Sequence, residues 1–319
     1  MANPVVAGNI LAAGLRAEFA NTYGPTYTAV KERLSSVMEL GIPSDKAVEI
    51  FGYLESSPYP QRWVDGENIP SRNFLSRQFS VTNWTWGMQV KWKINDRQDD
   101  QTRSLFDQAR AAGDHWATLP ERLFFQILTS TADATLLPAI PNAPDGLALF
   151  AANRFGLGAG NIVATGGVAT TAAVQANFFG AIAAFGQFQD TEGQPLWGQD
   201  KLDQGFTVIY NVANQQVFTQ AFMQNLVQGT AAAPSNVIMN AGLNVTLWPT
   251  QRITNNAWYV FMKGAPKKPI FELIRQPLQE HAATMDTSDF VKQTRVEYIQ
   301  WDSRGSASVA VPYAAIAVQ

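Results

Sequence analysis

Between Val81 and Ile94 the chain alternates, with Trp84, Trp86, Met88, Val90 and Trp92 on one side and Asn83, Thr85, Gln89, Lys91 and Lys93 on the other. A period of two belongs to a half-buried strand. A second strand-compatible stretch, Phe51 to Val64, precedes it, and the connection holds the turn formers Asp65-Gly66, Pro70 and Asn73. The pattern predicts a two-armed ribbon that passes directly into a helix at NDRQDDQTRSLFDQARAAGDHW. A two-stranded ribbon is marginal in water by itself. One carrying Trp63, Ile69, Phe74, Leu75 and Phe79 therefore needs support, which another copy of the chain can provide.

Helical spacing follows. Leu105, Ala109, Ala112 and Trp116 mark one face, continued by Leu119, Leu123, Ile127 and Leu128. Pro120 does not fit a helix interior, and Thr118-Leu119-Pro120-Glu121 has the form of a capping box with proline in the first turn. The spacing predicts a spine from about Gln98 to Ser130, kinked or restarted near Thr118 and roughly 50 Å long at about 1.5 Å per residue. Asp99 and Asp100 sit near its start, where carboxylates complement the helix dipole. Upstream, Leu11, Leu15 and Phe19 predict a short helix from Asn9 to Ala20 that stops before Tyr23-Gly24-Pro25. Leu34, Val37, Met38 and Leu40 are too few for a core, so this arm must pack on later residues or on neighbours.

From Ala134 to Asp200 charge is scarce and lysine absent. Two loops rich in Pro, Gly and Asn bracket a helix from about Thr171 to Phe185 whose apolar residues run nearly all round, predicting burial. FTVIYNV reads as a buried strand, QQVFTQAFMQNLVQ as an amphipathic helix, and LNVTLW, AWYVFMKG and KPIFELIRQ as three strands. Together, about Leu136 to Glu280 is expected to be an α+β unit with its own core. The last residues, from DFVKQTRVEYIQW onward, read as a hairpin turning at Asp302-Ser303-Arg304-Gly305, with a second arm running to the end.

Composition narrows the function. Of 319 residues 46% are apolar and only 15% charged, well below the usual quarter. Neutral polar residues or partner chains must cover much of the surface. With a net charge of −3 and no Lys/Arg cluster, sequence-specific nucleic-acid recognition is not expected. No cysteine means no disulfide, thiol catalysis or thiolate metal site. The N-terminus shows no basic leader and no stretch has membrane-spanning length, which reads as a soluble, untargeted chain without a membrane partner. Asn83-Trp84-Thr85 and Asn244-Val245-Thr246 match the glycosylation tripeptide but lack a leader to give it meaning.

Candidate chemistry is thin. His115 and His281 have no second ligand at metal-binding spacing. Gly156-Leu157-Gly158-Ala159-Gly160 lacks the third glycine and the leading strand of a phosphate loop. Asp99, Asp100, Asp114 and Glu121 are explained by helix starts rather than by paired-carboxylate catalysis. Trp63, Trp84, Trp86 and Trp92 suit packing better than a sugar platform. No catalytic residue, cofactor or metal is expected.

The order of parts resembles the Hong Kong 97-type major capsid fold of tailed phages, and the local sequence is similar to its Mu-like head subunit (gpT) family. FGYLESSPYPQRWVDGE resembles that family's aromatic-Gly-Tyr/Trp-Leu…Pro…Glu/Arg-Trp-Val-Gly stretch, and Pro120-Glu121-Arg122-Leu123 its Gln-Pro-Asp-Glu-Leu helix. AWYVFMKGAPKKPIFELIRQP and DFVKQTRVEYIQWDSRGSASVAVPYAAIAV resemble its C-terminal stretches. These likenesses cover roughly 51–150 and 255–318, and the middle matches poorly.

The resemblance implies an α+β fold divided into an N-terminal arm (1–50), an E-loop hairpin (51–95), a P-domain spine helix kinked near 118–120 (96–135), an A-domain (136–284) and a C-terminal hairpin returning to the P-domain (285–319). It implies a non-enzymatic shell protein forming hexamers and pentamers around double-stranded DNA, located in the virion and assembled in the host bacterial cytoplasm. Pro60, Trp63, Ile69, Phe74 and Leu75 would make the E-loop's intersubunit contacts. A portal, a separate scaffolding protein and a cement or decoration protein are the implied partners. One variant of the fold locks neighbours through an E-loop lysine, and this chain has none between Lys46 and Lys91, so its contacts would be non-covalent. The alternatives are an encapsulin-like compartment and, from another class, a carbohydrate-binding or hydrolytic protein.

Overall fold

A computed structural model describes residues 8–56, 75–95, 104–154, 160–163, 168, 170–190, 193–224, 238, 242–285 and 287–319. Two long antiparallel strands, β9 (Ile270–Ala283) and β10 (Val296–Val309), form the middle of a four-stranded sheet. β1 (Met38–Pro43) runs parallel to β9 on one edge and β4 (Trp84–Lys93) antiparallel to β10 on the other. Among the described residues, β2 (Val48–Ser56) and β3 (Leu75–Thr82) pair only with each other. The ribbon therefore consists of β2 and β3, and the alternating stretch divides at Asn83, whose side chain bonds Ser44 Oγ at 2.7 Å and the Lys46 carbonyl at 2.8 Å. Contrary to the two-armed reading, β4 is a sheet strand. Its apolar face grows more buried toward its end, from Trp84 at 38% exposed to Trp92 at 3%.

The expected turn at Asp302-Ser303-Arg304-Gly305 does not form. β10 runs straight through it, and the bend of this hairpin lies further back, where α6 (Asp289–Thr294) separates β9 from β10. What the motif marks is an irregularity in register, with Ile274 to Gln279 of β9 facing the shorter stretch from Gly305 back to Asp302. Pro277, which cannot donate a ladder bond, falls inside that bulge. Gly305 serves close approach rather than turning, since a Cβ there would lie 2.3 Å from the Leu273 carbonyl oxygen.

A second sheet of five strands has the order β5-β11-β8-β6-β7, with β5 at Ile162–Val163, β6 at Phe206–Asn211, β7 at Val245–Thr250, β8 at Trp258–Met262 and β11 at Ala315–Val318. Both of its faces are covered, so β8 is buried at every position and β6 at all but its last. Phe206, Val208, Trp258 and Val260 face helices α4 (Thr171–Gln187) and α5 (Gln215–Met223). Ile209, Tyr259, Phe261, Ala315 and Ala317 face a different core containing Phe124 and Ile127. The expected α+β unit thus exists, but KPIFELIRQ lies in the other sheet, while the chain's last strand returns to this one. Helix α4 is buried along one stripe, Val174, Phe178, Ala181 and Phe185, and not all round; Ala172, Ala176 and Ala183 are exposed. Small apolar side chains raise hydropathy without needing burial.

Helix α1 (Gly8–Leu34) runs on past the predicted stop, with Pro25 inside it. The hydroxyls of Thr22 and Thr28 bond back to the carbonyls of Glu18 and Gly24 at 3.1 and 3.0 Å. Stacked Phe19, Tyr23 and Tyr27, at centroid separations of 5.7 and 5.3 Å, bridge the proline, and Phe19 also stacks on Trp301. Tertiary packing outweighs the roughly 3 kcal/mol that an interior proline costs.

The spine breaks at Thr118 as expected, into α2 (Ser104–Ala117) and α3 (Leu119–Leu128). The capping box does not form. Thr118 has helical backbone angles, and its hydroxyl reaches back to the Asp114 and His115 carbonyls at 3.1 and 3.2 Å. The break gives the two halves different duties. α2 packs its Leu105, Ala109, Ala112 and Trp116 against Leu11, Leu15 and Phe19 of α1 and against Trp92 and Trp301. α3 inserts Leu123, Phe124, Ile127 and Leu128 between the two sheets.

Candidate assembly surfaces

The ribbon stands on an aromatic foot. Alternation along β2 places Glu49 and Phe51 inward, opposite Val81 and Phe79, and leaves Val48 and Ile50 outward at 44% and 65% exposed. Phe51 stacks on Phe79 at 5.5 Å, and both meet Phe271 of β9 edge-on at 5.3 and 6.4 Å. Glu49 ties the base by accepting from the Ser44 hydroxyl at 2.9 Å. Beside the foot lies a cavity of about 190 Å³, lined by Ile42, Phe51, Phe79, Phe271 and Val311.

Of the residues expected to make intersubunit contacts, Pro60, Trp63, Ile69 and Phe74 lie outside the described residues. Leu75 begins β3, its backbone opposite Ser56. The glycines at 156 and 158, and Asp99 and Asp100, also lie outside. The tryptophans do not make an open platform. Trp92 is buried and donates to Glu297 Oε2 at 2.8 Å, and half-buried Trp86 donates to the Leu136 carbonyl at 3.1 Å. Glu121 does not complete a cap. It accepts from Arg252 at 3.0 Å and lies 3.7 Å from Arg33, which in turn sits over the Trp248 ring. His281 faces Asp302 at 3.3 Å on the sheet surface. Among the described residues no three His, Asp or Glu side chains gather as a metal site, and no helix is long and apolar enough to cross a membrane.

Two features escape the sequence reading. The first is a clasp around Asn161, which is completely buried. Its Oδ1 accepts from the Ala151 N–H at 2.9 Å and Arg154 Nε at 3.1 Å, and its Nδ2 donates to the carbonyls of Leu149, Pro312 and Ala315. Arg154, likewise buried, pairs with Asp145 and donates to Leu149 at 2.7 Å. Together they fasten a charge-poor loop to the start of β11. Arg154 is the sole charged residue between Asp145 and Asp190, and that isolation was the available signal.

The second is Glu272 on β9, 8% exposed, with Oε2 lacking a partner. Burial pushes its carboxyl up to about 7, against smaller opposing effects from the Gly41 N–H and Lys31. It shares a cavity of about 140 Å³ with Tyr23 and Tyr27 of α1, and burial pushes the Tyr23 phenol up to about 12. A buried acid therefore lies where the N-terminal helix crosses the central sheet.

Residues 9–137 match the family described as Mu-like prophage major head subunit gpT. That range contains α1, the ribbon, β4 and both spine helices. The similarity to that family is confined to these residues. The head subunit's C-terminal stretches, which also carried the resemblance, fall outside the matched range. No curated protein matches its sequence. Its fold as a whole is similar to the capsid of an empty GTA particle (TM-score 0.58, 11% identity, 89% of this chain and 88% of the other covered). It is also similar to the mature capsid of bacteriophage PhiM1 (0.53, 10%, 89% and 85%). A third likeness is to a virus-like particle from Pyrococcus furiosus (0.50, 10%, 96% and 98%). The chain has the Hong Kong 97-type α+β capsid fold, and it is a major capsid protein.

Proposed function

We propose that the head subunit builds an icosahedral shell of hexamers and pentamers through packing alone, without catalysis. The observation that carries this reading is the ribbon, which lies within the residues similar to the head-subunit family and stands through Phe51 and Phe79 on Phe271 of β9. In this reading β2 and β3 hold the 57–74 segment out over an adjacent subunit, and Pro60, Trp63, Ile69, Phe74 and Leu75 bury apolar area there. Each such contact contributes about 25 cal/mol per Å² before association costs are subtracted, and closed symmetry repeats it around the shell. With no lysine between Lys46 and Lys91, the ribbon supplies no amine for a covalent lock. The segments 1–50, 51–95, 96–135, 136–284 and 285–319 act as arm, E-loop, spine, A-domain and returning hairpin. Strands β9 and β11 exchange places across the boundary between the last two segments. The shell encloses double-stranded DNA, assembles in the host bacterial cytoplasm, and engages a portal, a scaffolding protein and a cement protein as separate chains.

Negative-stain microscopy of the purified full chain tests the reading, with closed shells as the expected result. Replacing Trp63→Asp together with Phe74→Asp is expected to leave a folded, soluble subunit that sediments without particles. Normal-sized shells from that variant would remove the ribbon from the assembly mechanism.

A further inference from the structure

A cavity of about 360 Å³ opens beside β4, where α2 gives way to α3. Trp86 and Met88 of β4 form one wall, and His115, Trp116, Leu119 and Arg122 of the spine form the other. No carboxylate lines it. Arg122 approaches its partner Asp133 only to 3.8 Å and keeps 36% of its side chain exposed, and His115 is exposed beside it. The cleft is thus aromatic and thioether within and cationic at its rim.

The backbone of β4 adds a second recognition element. It is the outermost strand of its sheet, and among the described residues no strand covers its outer edge. An open edge of this kind accepts another strand through main-chain hydrogen bonds, while adjoining pockets select alternate side chains. Thr85, Trp86, Gly87 and Met88 of β4 all line the cleft, so a strand added at this edge would run directly beside it.

We propose that this cleft docks an extended acidic segment of a separate protein, added along β4, with an apolar side chain between Trp86 and Trp116 and carboxylates on Arg122 and His115. Two exposed apolar residues beside acids on a second copy do not supply such a segment. Phe290, beside Asp289, is exposed but helical, and Ile50 lies in a strand already paired with β3, its neighbour Glu49 already bonded to Ser44. The inference goes beyond shell formation, because the cleft belongs to the single subunit and needs no neighbour to complete it.

The test uses the full chain and three synthetic peptides with blocked ends: an alternating Glu-Leu octapeptide, its Lys-Leu counterpart, and residues 61–70 of this chain. Binding is followed by tryptophan fluorescence and calorimetry. The acidic peptide is expected to saturate, and the basic one to bind about tenfold more weakly, the scale of a charge-assisted contact. Arg122→Glu is expected to reverse that order. His115→Glu, at an exposed position, is expected to weaken the acidic peptide by itself and serves if the first variant fails to fold. Equal affinity for both octapeptides, indifference to both charge reversals, or tighter binding of the 61–70 peptide, which would assign the cleft to a second copy, would each overturn the proposal. Failure to form shells would leave these outcomes unchanged and so separates the two readings.

Discussion

The two sheets of this head subunit are built on opposite terms. Between the five-stranded sheet and its helices lies a core of rings and aliphatic chains, with Phe178, Phe206 and Phe218 completely buried and Trp258 nearly so. The four-stranded sheet carries buried carboxylates, Glu272 at 8% exposed and Glu297 at 0%, and the indole nitrogens of its Trp301 and of Trp116 on the helix against it lack partners. The first sheet has one good arrangement. In the second, α1 crosses the partly satisfied Glu272, which lowers the cost of moving it. The rigid unit and the adjustable unit are thus separate parts of the chain.

The largest expected effect tests the rigid side. Phe178→Ala deletes a ring packed against Phe206 and Phe222 at 5.7 and 4.9 Å and is expected to cost about 3–5 kcal/mol in urea unfolding. A loss under about 1 kcal/mol would mean that this core is already loose, and the contrast would fail.

Glu272 tests the adjustable side. Its folded value near 7 lies above its ordinary 4.5, so the folded state binds the proton more tightly. The stability this contributes is fully present below pH 4.5 and is lost as pH rises through 7. At about 1.36 kcal/mol per tenfold change in proton affinity, the loss is about 3 kcal/mol by pH 8. Glu272→Gln is expected to flatten the stability profile between pH 5 and 8, and an unchanged profile would take Glu272 out of the comparison.

Asn161→Ala strands several buried carbonyls and N–H groups and is expected to cost about 2–3 kcal/mol. Limited proteolysis should then cut the 145–161 loop before the sheets, placing the clasp on the edge of the rigid unit. The smallest effect is expected from Arg110→Ala. Its bonds to Glu18 at 2.9 Å and Asp107 at 3.1 Å lie at the surface, and the melting temperature should not move measurably. A large shift would show that α1 is held by charge rather than by its aromatic stack.

Much of this was legible in the sequence. The alternation over 84–92, the break at Thr118 and the buried strands at 206 and 258 follow from local periodicity and proline chemistry. The errors share a cause. Gly24-Pro25 reads locally as a stop and Asp302-Ser303-Arg304-Gly305 as a turn, yet stacked rings carry the helix across one and flanking strands on both sides hold the other extended.

The sequence by itself determined where strands and helices lie, because a side chain's face is set by a period of two or 3.6 residues. Only the tertiary structure decided partnership: that β2 pairs with β3 while β4 joins the sheet, that β9 and β11 cross between units, and that Glu272 meets α1. Partner choice depends on contacts distant in sequence, whose summed packing outweighs the few kcal/mol that local signals carry.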